Sequence, residues 1–374
     1  MYYQLIVELA EKDKSLLYQG ISYMHDRVKR VRSHTQDTLE ICRHKITLSF
    51  VRSRIDPETV LFTQKSNIRY QLQRALCFYL AVAGYMPKVK RIYITAYTEM
   101  PQDHHEKLPG GKKKMWKQEI EDISFAAKWQ QYRLDECIPA DVAEYIFTDG
   151  QGAKALYDGM TYFEAAQQYE LRDLRDCYRA AWSCLNALYT YIGGADQHEQ
   201  DKLIELGKLL GSESFADARR YVEELPQDRF WDRLEWYQAA CARDFRTKDD
   251  SIPKVYDDIL RLKQDSMLVS KYDQLLCKIK RPDADQQKFE KDRKKHLRDI
   301  QRVIEADQSD IETRLKFLIC RYCYMLRNKS MHAEKAYPMF MITGPDYESD
   351  AIEPKLIKVM LLTAVGLMRE IMHG

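Results

Sequence analysis

The chain of 374 residues is long enough for two or three domains, and its 45% of hydrophobic residues can build a sizeable core. Lys and Arg number 59 against 57 Asp and Glu, and this near-balance excludes a uniformly basic nucleic-acid binder. Only 14 Gly and 11 Pro are present, which is few for the turns of an all-β protein, so we expect a predominantly helical fold.

The first part of the chain has mixed periodicity. Alternating β-branched residues predict strands at His44–Val51, Thr59–Thr63 and Val89–Thr98. Apolar residues three or four apart predict helices over Gln4–Val31 and Ile68–Tyr85. We therefore expect residues 1–150 to form an α+β module.

The remainder of the chain predicts helices alone. One long helix is predicted over Tyr162–Ile192, ended by Gly193-Gly194, and a final apolar helix over Pro354–Met372. Between them the pattern predicts shorter helices, at Asp201–Gly211, Phe215–Glu224, Phe230–Asp244, Lys254–Ser266, Ser270–Lys280, Gln286–Ala306 and Ile311–Lys335. We expect residues 151–374 to form a mainly α-helical domain, with helical insertions at about 195–310.

Membrane and secretory classes are not indicated. No apolar run approaches the roughly 20 residues that cross a bilayer, and the N-terminus lacks the basic start of a secretory signal. The nine cysteines are scattered and odd in number, which is typical of reduced thiols in a cytoplasmic protein. Cys320 and Cys323 form a CxxC step without a second pair at zinc-site spacing, so we expect structural thiols and no metal.

Most catalytic signatures are absent from the sequence. It contains no GxxxxGKS/T phosphate loop, no GxGxxG turn, no HExxH and no GxSxG, and its few glycines are dispersed. The chemistry therefore has to come from side chains on helices, and we expect no cofactor.

One predicted helix carries an unusual polar cluster. Arg321, Asn328 and His332 are seven and four residues apart, so on a regular α-helix they project from one face, and Arg327 can lean towards the same surface. Imidazole moves protons near neutral pH, and guanidinium grips a phosphate with two hydrogen bonds. This set suits metal-independent phosphodiester transfer, in which His332 activates an RNA 2′-hydroxyl or protonates the leaving oxygen and Arg327 stabilises the charge on phosphorus.

The segment Arg327-Asn328-Lys329-Ser330-Met331-His332 resembles the RNxxxH motif of HEPN-domain ribonucleases. In that superfamily a long helix precedes the motif helix and an apolar helix follows it, and Tyr162–Ile192 and Pro354–Met372 occupy those places. The resemblance covers roughly residues 160–374 and leaves 1–150 unexplained. About 130 residues separate the first helix from the motif, a longer gap than in the compact family pattern, and helical insertions would account for the excess.

The resemblance implies a HEPN-like helical bundle that dimerises through the C-terminal domain and cleaves RNA in a composite cleft. It also implies roles in phage defence, toxin–antitoxin pairs or CRISPR effectors, with an antitoxin or a nucleotide ligand as a further partner. We expect Arg327 and His332 to be catalytic and Asn328 to orient His332 or the phosphate. Arg321 and Lys329 are expected to bind RNA beside them.

A second basic segment lies near the N-terminus. Residues 1–100 carry 16 Lys and Arg against 9 Asp and Glu, and the excess is concentrated at Arg27, Lys29, Arg30 and Arg32. These residues could hold an RNA backbone, which would make the N-terminal module an RNA-positioning domain, or they could form a solvated helix end.

Two alternative functions remain open on the sequence. Arg327 and His332 could instead form hydrogen bonds within a buried interface between two helices. The protein would then be a catalytically inactive HEPN-like scaffold that binds RNA or protein. The N-terminal module could instead be a Rossmann-like sensor of a ligand-gated CRISPR-associated ribonuclease. That sensor would need an apolar first strand and a Gly- or Ser-rich turn, whereas Tyr3–Ala10 runs into Glu11-Lys12-Asp13-Lys14.

Overall fold

The fold is known from a computed structural model. The residues that it describes are 1–23, 37–52, 55–56, 59–62, 66–97, 114–120, 133–168, 174–194, 196–226, 230–231, 234, 311–331 and 352–373. The chain divides into two compact units, one formed by Met1–Ile192 with Met368–Gly374 and the other by Gly193–Leu367.

Six antiparallel strands form one sheet in the first unit. In chain order they are β1 (Tyr2–Leu9), β2 (Leu16–Ser22), β3 (Asp37–Cys42), β4 (Lys45–Val51), β5 (Val89–Tyr97) and β6 (Lys114–Glu119). Their order across the sheet is β2-β3-β4-β1-β5-β6, so β1 lies in the interior between β4 and β5. The predicted strands at His44–Val51 and Val89–Thr98 are confirmed. Because all five strand pairings are antiparallel, this sheet is not the parallel Rossmann-like sheet that a ligand-gated sensor would require.

The predicted helix over Gln4–Val31 is wrong, because its described part forms β1 and β2. Leu5 and Leu9 are four residues apart, and a spacing of four fits both the helical repeat and the two-residue repeat of a strand. Val7, fully buried between them, decides in favour of the strand. Residues 24–36 lie outside the described residues.

Helix α1 (Asn67–Ala83) confirms the prediction for Ile68–Tyr85 and packs against β2, β3 and β4. Ser66 caps its N-terminus by accepting a hydrogen bond from the Arg69 backbone N–H at 3.3 Å. Gly84 ends it with φ of 75°, a left-handed conformation that favours glycine. The buried Ala75, Phe78 and Tyr79 belong to the core on which the sheet rests.

The predicted strand at Thr59–Thr63 is also wrong, because Thr59–Phe62 forms a turn. The side chain of Asp56 accepts a hydrogen bond from Thr59 Oγ1 at 2.9 Å, and its carbonyl accepts one from the Val60 N–H at 3.1 Å. These local bonds satisfy the backbone without a partner strand, and Phe62 is 52% exposed.

The predicted helix over Tyr162–Ile192 is two helices. After the short helix α2 (Ala140–Ala143) and the 3₁₀ turn Glu144–Phe147, α3 spans Ala153–Ala166 and α4 spans Leu174–Gly193. Directly after α3, the Gln167 side chain accepts a hydrogen bond from the Glu136 N–H at 2.7 Å and donates one to the Glu136 carbonyl at 3.1 Å. The buried stripe predicted from Tyr178, Ala181, Leu185 and Leu188 is confirmed within α4.

In its described residues the second unit is helical. Its elements are α5 (Glu199–Leu209), the 3₁₀ turn Glu213–Phe215, α6 (Ala216–Glu224), α7 (Ile311–Phe317), the π-helical segment Leu318–Cys323, α8 (Tyr324–Met331) and most of α9 (Ile352–His373). α6 packs against α7, and α5 packs against the π-helical segment. The predictions for Asp201–Gly211, Phe215–Glu224 and Pro354–Met372 are confirmed.

Several predicted helices lie beyond the described residues, namely Lys254–Ser266, Ser270–Lys280 and Gln286–Ala306, together with most of Phe230–Asp244. Across the described ranges, no helix is both long and apolar enough to span a bilayer. The coarse expectation of an N-terminal α+β part followed by a mainly helical part is confirmed.

Candidate active site

Arg327 and Asn328 lie near the end of a continuous helical segment, Ile311–Met331, called the rod below. The rod contains a π-helical stretch shortly before Arg327. The rod begins as α7, widens into the π-helical segment Leu318–Cys323 and returns to α-helical geometry as α8. Short π-helical insertions are rare and occur frequently at functional sites. The sequence of the rod carries no signal of this insertion, because its apolar residues follow ordinary helical spacing.

Most of the described side chains of this rod are buried. Leu318, Ile319, Cys323 and Met325 are almost fully excluded from solvent, and Tyr322 is 2% exposed. The polar residues of the motif therefore follow a stretch, Phe317–Leu326, in which Arg321 is the one charged residue. A charged group in such surroundings interacts with its neighbours more strongly than in bulk water.

Arg327 is held by two acceptors through a single nitrogen. Its Nη1 donates a hydrogen bond to Asn328 Oδ1 at 2.7 Å and lies 3.6 Å from Glu199 Oε2. The Arg327 side chain is 27% exposed and that of Glu199 is 29% exposed, so solvent reaches both partners. The two acceptors therefore fix the position of Nη1, while the guanidinium remains accessible to solvent.

Asn328 acts on Arg327 rather than only on the groups that the sequence suggested. It is 5% exposed, and its carbonyl oxygen accepts the Nη1 proton of the neighbouring residue. A buried amide with a fixed partner restricts the rotamers of a long arginine side chain. The contact assigns Asn328 a positioning role towards Arg327.

Sequence reasoning missed Glu199, which lies in the first turn of α5. The positive end of the α5 dipole stabilises a carboxylate at this position, and α5 packs against the π-helical segment that leads to the motif. A Cβ at Gly207 of α5 would lie 3.7 Å from Cys320 Sγ, an ordinary van der Waals distance between the two segments. No local pattern links Glu199 to Arg327, because they meet only through tertiary packing.

The shared face predicted for Arg321, Asn328 and His332 assumed uninterrupted α-helical winding. Arg321 lies in the π-helical segment, where each residue turns the chain through a smaller angle, so the seven-residue spacing to Asn328 no longer corresponds to two α-helical turns. Lys329 lies on α8. His332 follows α8 directly and lies outside the described residues, as do Arg27, Lys29, Arg30 and Arg32.

Cys320 and Cys323 lie within the π-helical segment, form no disulfide and are both buried. Burial raises the pKa of Cys320 to about 12, so this thiol stays protonated at neutral pH and is a poor metal ligand. Within the described ranges, His, Cys, Asp and Glu form no cluster that could hold a metal ion.

Comparison with known proteins leaves the chain without a family. No protein-family model matches it, and neither the curated proteins nor the solved structures contain a significant match. Arg327 and Asn328 of the motif, with Glu199 of α5, form the candidate site.

Proposed function

We propose that the chain is a metal-independent endoribonuclease whose active site includes Arg327 and His332. The observation that carries this proposal is the geometry of Arg327, a partly exposed guanidinium that is anchored through Nη1 by the buried amide of Asn328. Anchoring one nitrogen leaves the edge formed by Nε and Nη2 to bind two phosphate oxygens. The resemblance of Arg327–His332 to the RNxxxH motif supports the same function.

The reaction divides between the two side chains. The imidazole of His332 takes the proton from an RNA 2′-hydroxyl, whose oxygen then attacks the adjacent phosphorus. The bond from phosphorus to the 5′-oxygen breaks, that oxygen takes up a proton, and the products carry a 2′,3′-cyclic phosphate and a 5′-hydroxyl. Arg327 stabilises the extra negative charge on the phosphoryl oxygens, and Asn328 keeps its guanidinium in place.

Two copies of the site would act together. The HEPN resemblance implies a homodimer through the C-terminal domain, with the two motif helices lining one cleft for RNA. A cleft built from two identical helices brings two guanidinium groups to one phosphate backbone, which strengthens binding of the anionic substrate. Phage defence, a toxin paired with an antitoxin and a CRISPR-associated effector are the biological settings in which such a nuclease would act, and the cytoplasm is the expected compartment.

A catalytically inactive scaffold is the second candidate, and the ion pair with Glu199 favours it. A carboxylate 3.6 Å from Arg327 Nη1 competes with phosphate for the guanidinium. In such a scaffold the pair would serve packing, and the protein would bind RNA or another protein without cleaving it. The two candidates differ in turnover rather than in binding.

The decisive experiment incubates the full chain with end-labelled single-stranded RNA in EDTA. We expect cleavage products with 2′,3′-cyclic phosphate ends. Removing a general base costs roughly 10²–10⁴ in rate, so His332→Ala is expected to lose activity by that factor while remaining folded. Arg327→Ala is expected to lose a comparable factor of about 10²–10³.

Matched controls replace the same residue types away from the motif. His373→Ala, at the exposed end of α9, and Arg220→Ala, on the exposed face of α6, are expected to cleave at the wild-type rate. Salt-sensitive RNA binding without turnover in the wild-type chain would identify the scaffold instead. Full activity of the folded His332→Ala variant would exclude His332 from the reaction.

A further inference from the structure

Arg74, on α1 in the first unit, has a buried guanidinium that the structure satisfies on one side only. Its side chain is fully excluded from solvent. Nη1 donates hydrogen bonds to the Tyr23 carbonyl at 2.6 Å and to Gln71 Oε1 at 3.1 Å. Nε and Nη2 are buried and have no hydrogen-bond partner, and within the described chain Arg74 forms no ion pair.

Two aromatic rings lie against this guanidinium. The Arg74 Cζ atom lies 5.6 Å from the ring centre of Tyr70 and 5.3 Å from that of Phe147. These contacts favour a cation, and the hydrogen bonds of a guanidinium are donated in its own plane. One edge is used by Nη1, so the remaining edge is formed by Nε and Nη2, the pair that binds two oxygens of a carboxylate or phosphate.

The neighbouring contacts hold Arg74 rigidly in this orientation. Ser22 Oγ donates to Gln71 Oε1 at 2.6 Å, Gln71 Nε2 donates to the Ser22 carbonyl at 3.2 Å, and the Tyr23 N–H donates to the Phe147 carbonyl at 2.9 Å. The side of the guanidinium that carries bonds is thus tied to β2 and to the 3₁₀ turn. A preorganised charge of this kind binds an anion with little loss of side-chain entropy.

The electrostatic cost of the arrangement is high. Burial lowers the pKa of Arg74 to about 10, yet the group stays charged at neutral pH. An unpaired charge inside a protein is strongly destabilising, because water no longer solvates it. Water molecules could supply dipoles to Nε and Nη2, but only an anion also balances the charge.

The guanidinium of Arg74 lies close to the protein surface. Tyr70 lies against Arg74 and is itself half-buried, so the guanidinium lies one side chain beneath the surface. Tyr157 is also half-buried and stacks edge-on against Tyr70 at 5.4 Å. Rotation of these half-buried rings would open a path to the guanidinium.

We propose that Arg74 is the centre of an oxyanion-binding site in the first unit, which takes a phosphate or carboxylate group of a small molecule through Nε and Nη2. The site is separate from the motif at Arg327, which belongs to the second unit, so it does not depend on the proposed nuclease function. A bound anion would link β2, α1 and the 3₁₀ turn through one charge.

The test measures binding of sodium phosphate and of sodium acetate to the full chain by titration calorimetry and by the shift in Tm, with chloride keeping the ionic strength constant. We expect one equivalent of at least one anion to bind saturably and to raise Tm. The two salts distinguish a phosphate site from a carboxylate site. Absence of saturable binding of both would overturn the proposal and assign Nε and Nη2 to buried water.

Variants then locate the binding. Arg74→Met should abolish it, whereas Arg69→Met, on the same helix, and Arg220→Met, on α6 in the other unit, should retain it. If Arg74→Met does not fold, Arg74→Lys keeps the charge but loses the two-pronged edge, and about tenfold weaker binding is expected. Wild-type affinity in a folded Arg74 variant would refute the assignment.

Discussion

Glu164 on α3 offers the sharpest stability test, because it is a carboxyl group placed where its charged form is disfavoured. It is 3% exposed, its Oε1 has no hydrogen-bond partner, and the Cys77 thiol is hydrogen-bonded to it. Burial raises the pKa of Glu164 well above 4.5, and the bond with Cys77 offsets only part of that rise. We expect the group to be protonated in the folded chain at pH values where it is ionised in the unfolded chain.

The sign and size of the effect follow from this difference. Below the unfolded-state pKa both states hold the proton, and Glu164 adds no pH dependence. As the pH rises from there towards the folded-state pKa, the unfolded state loses its proton first, so the free energy of unfolding falls by about 1.4 kcal/mol per pH unit. Glu164→Gln removes the titrating group and therefore this slope.

The assay is urea unfolding of the wild type and of Glu164→Gln between pH 5 and 8, followed by circular dichroism. The expected result is a difference in unfolding free energy that grows with pH in favour of the variant. Packing an amide in place of the carboxyl group changes the unfolding free energy by an amount that does not depend on pH. It therefore shifts the difference between the two proteins without changing how that difference varies with pH. Glu119→Gln, which replaces an exposed carboxylate in the same unit, should leave the slope unaltered. Parallel curves for the wild type and Glu164→Gln would refute the reasoning.

Two further predictions concern Gly84 and Glu199. Gly84→Ala should destabilise the chain by about 1–3 kcal/mol in urea unfolding, because alanine is strained at φ of 75° and its Cβ would lie 2.8 Å from Cys137 Sγ. Gly194→Ala is the matched control with φ of 84° but open space, so it should cost less, and equal costs would exclude the contact with Cys137. Glu199→Gln should tighten RNA binding by about 1.4- to fivefold in a low-salt titration, since it removes a partly exposed partner of Arg327 worth about 0.2–1 kcal/mol. Unchanged or weaker binding would show that Glu199 does not compete with the phosphate.

The sequence predicted β4, α1 and β5 correctly because each has one dominant period. In β4, Ile46, Leu48 and Phe50 alternate into the core, which only a strand can satisfy. Leu5 and Leu9 of β1 fit both the helical and the strand period. This ambiguity led to the wrong prediction of one helix over Gln4–Val31. The burial of Val7 between Leu5 and Leu9 resolves it, and that burial depends on the sheet in which β1 pairs with β4 and β5.

The candidate site was predictable only in its local part. Arg327 and Asn328 are neighbours in sequence, so their proximity could be inferred, although the direction of their hydrogen bond could not. Glu199 and the π-helical segment were not predictable, because both depend on how α5 packs against the motif helix. The surroundings of the Arg74 guanidinium were not predictable either. Its Nη1 bonds to the Tyr23 carbonyl and its Cζ lies over the Phe147 ring, and both residues are distant from it in sequence.

The interior position of β1 also has a consequence for how the chain folds during synthesis. β1 pairs with β4 on one side, but its other side must wait for β5, whose Tyr97 pairs with Tyr2. Until the ribosome has released β5, one edge of β1 stays open with its backbone hydrogen-bonding groups unpaired, and such edges recruit other strands. Contacts this distant in sequence also slow folding. Slowing translation before β5 should therefore increase aggregation of the nascent chain, and a chaperone that covers strand edges should reduce it.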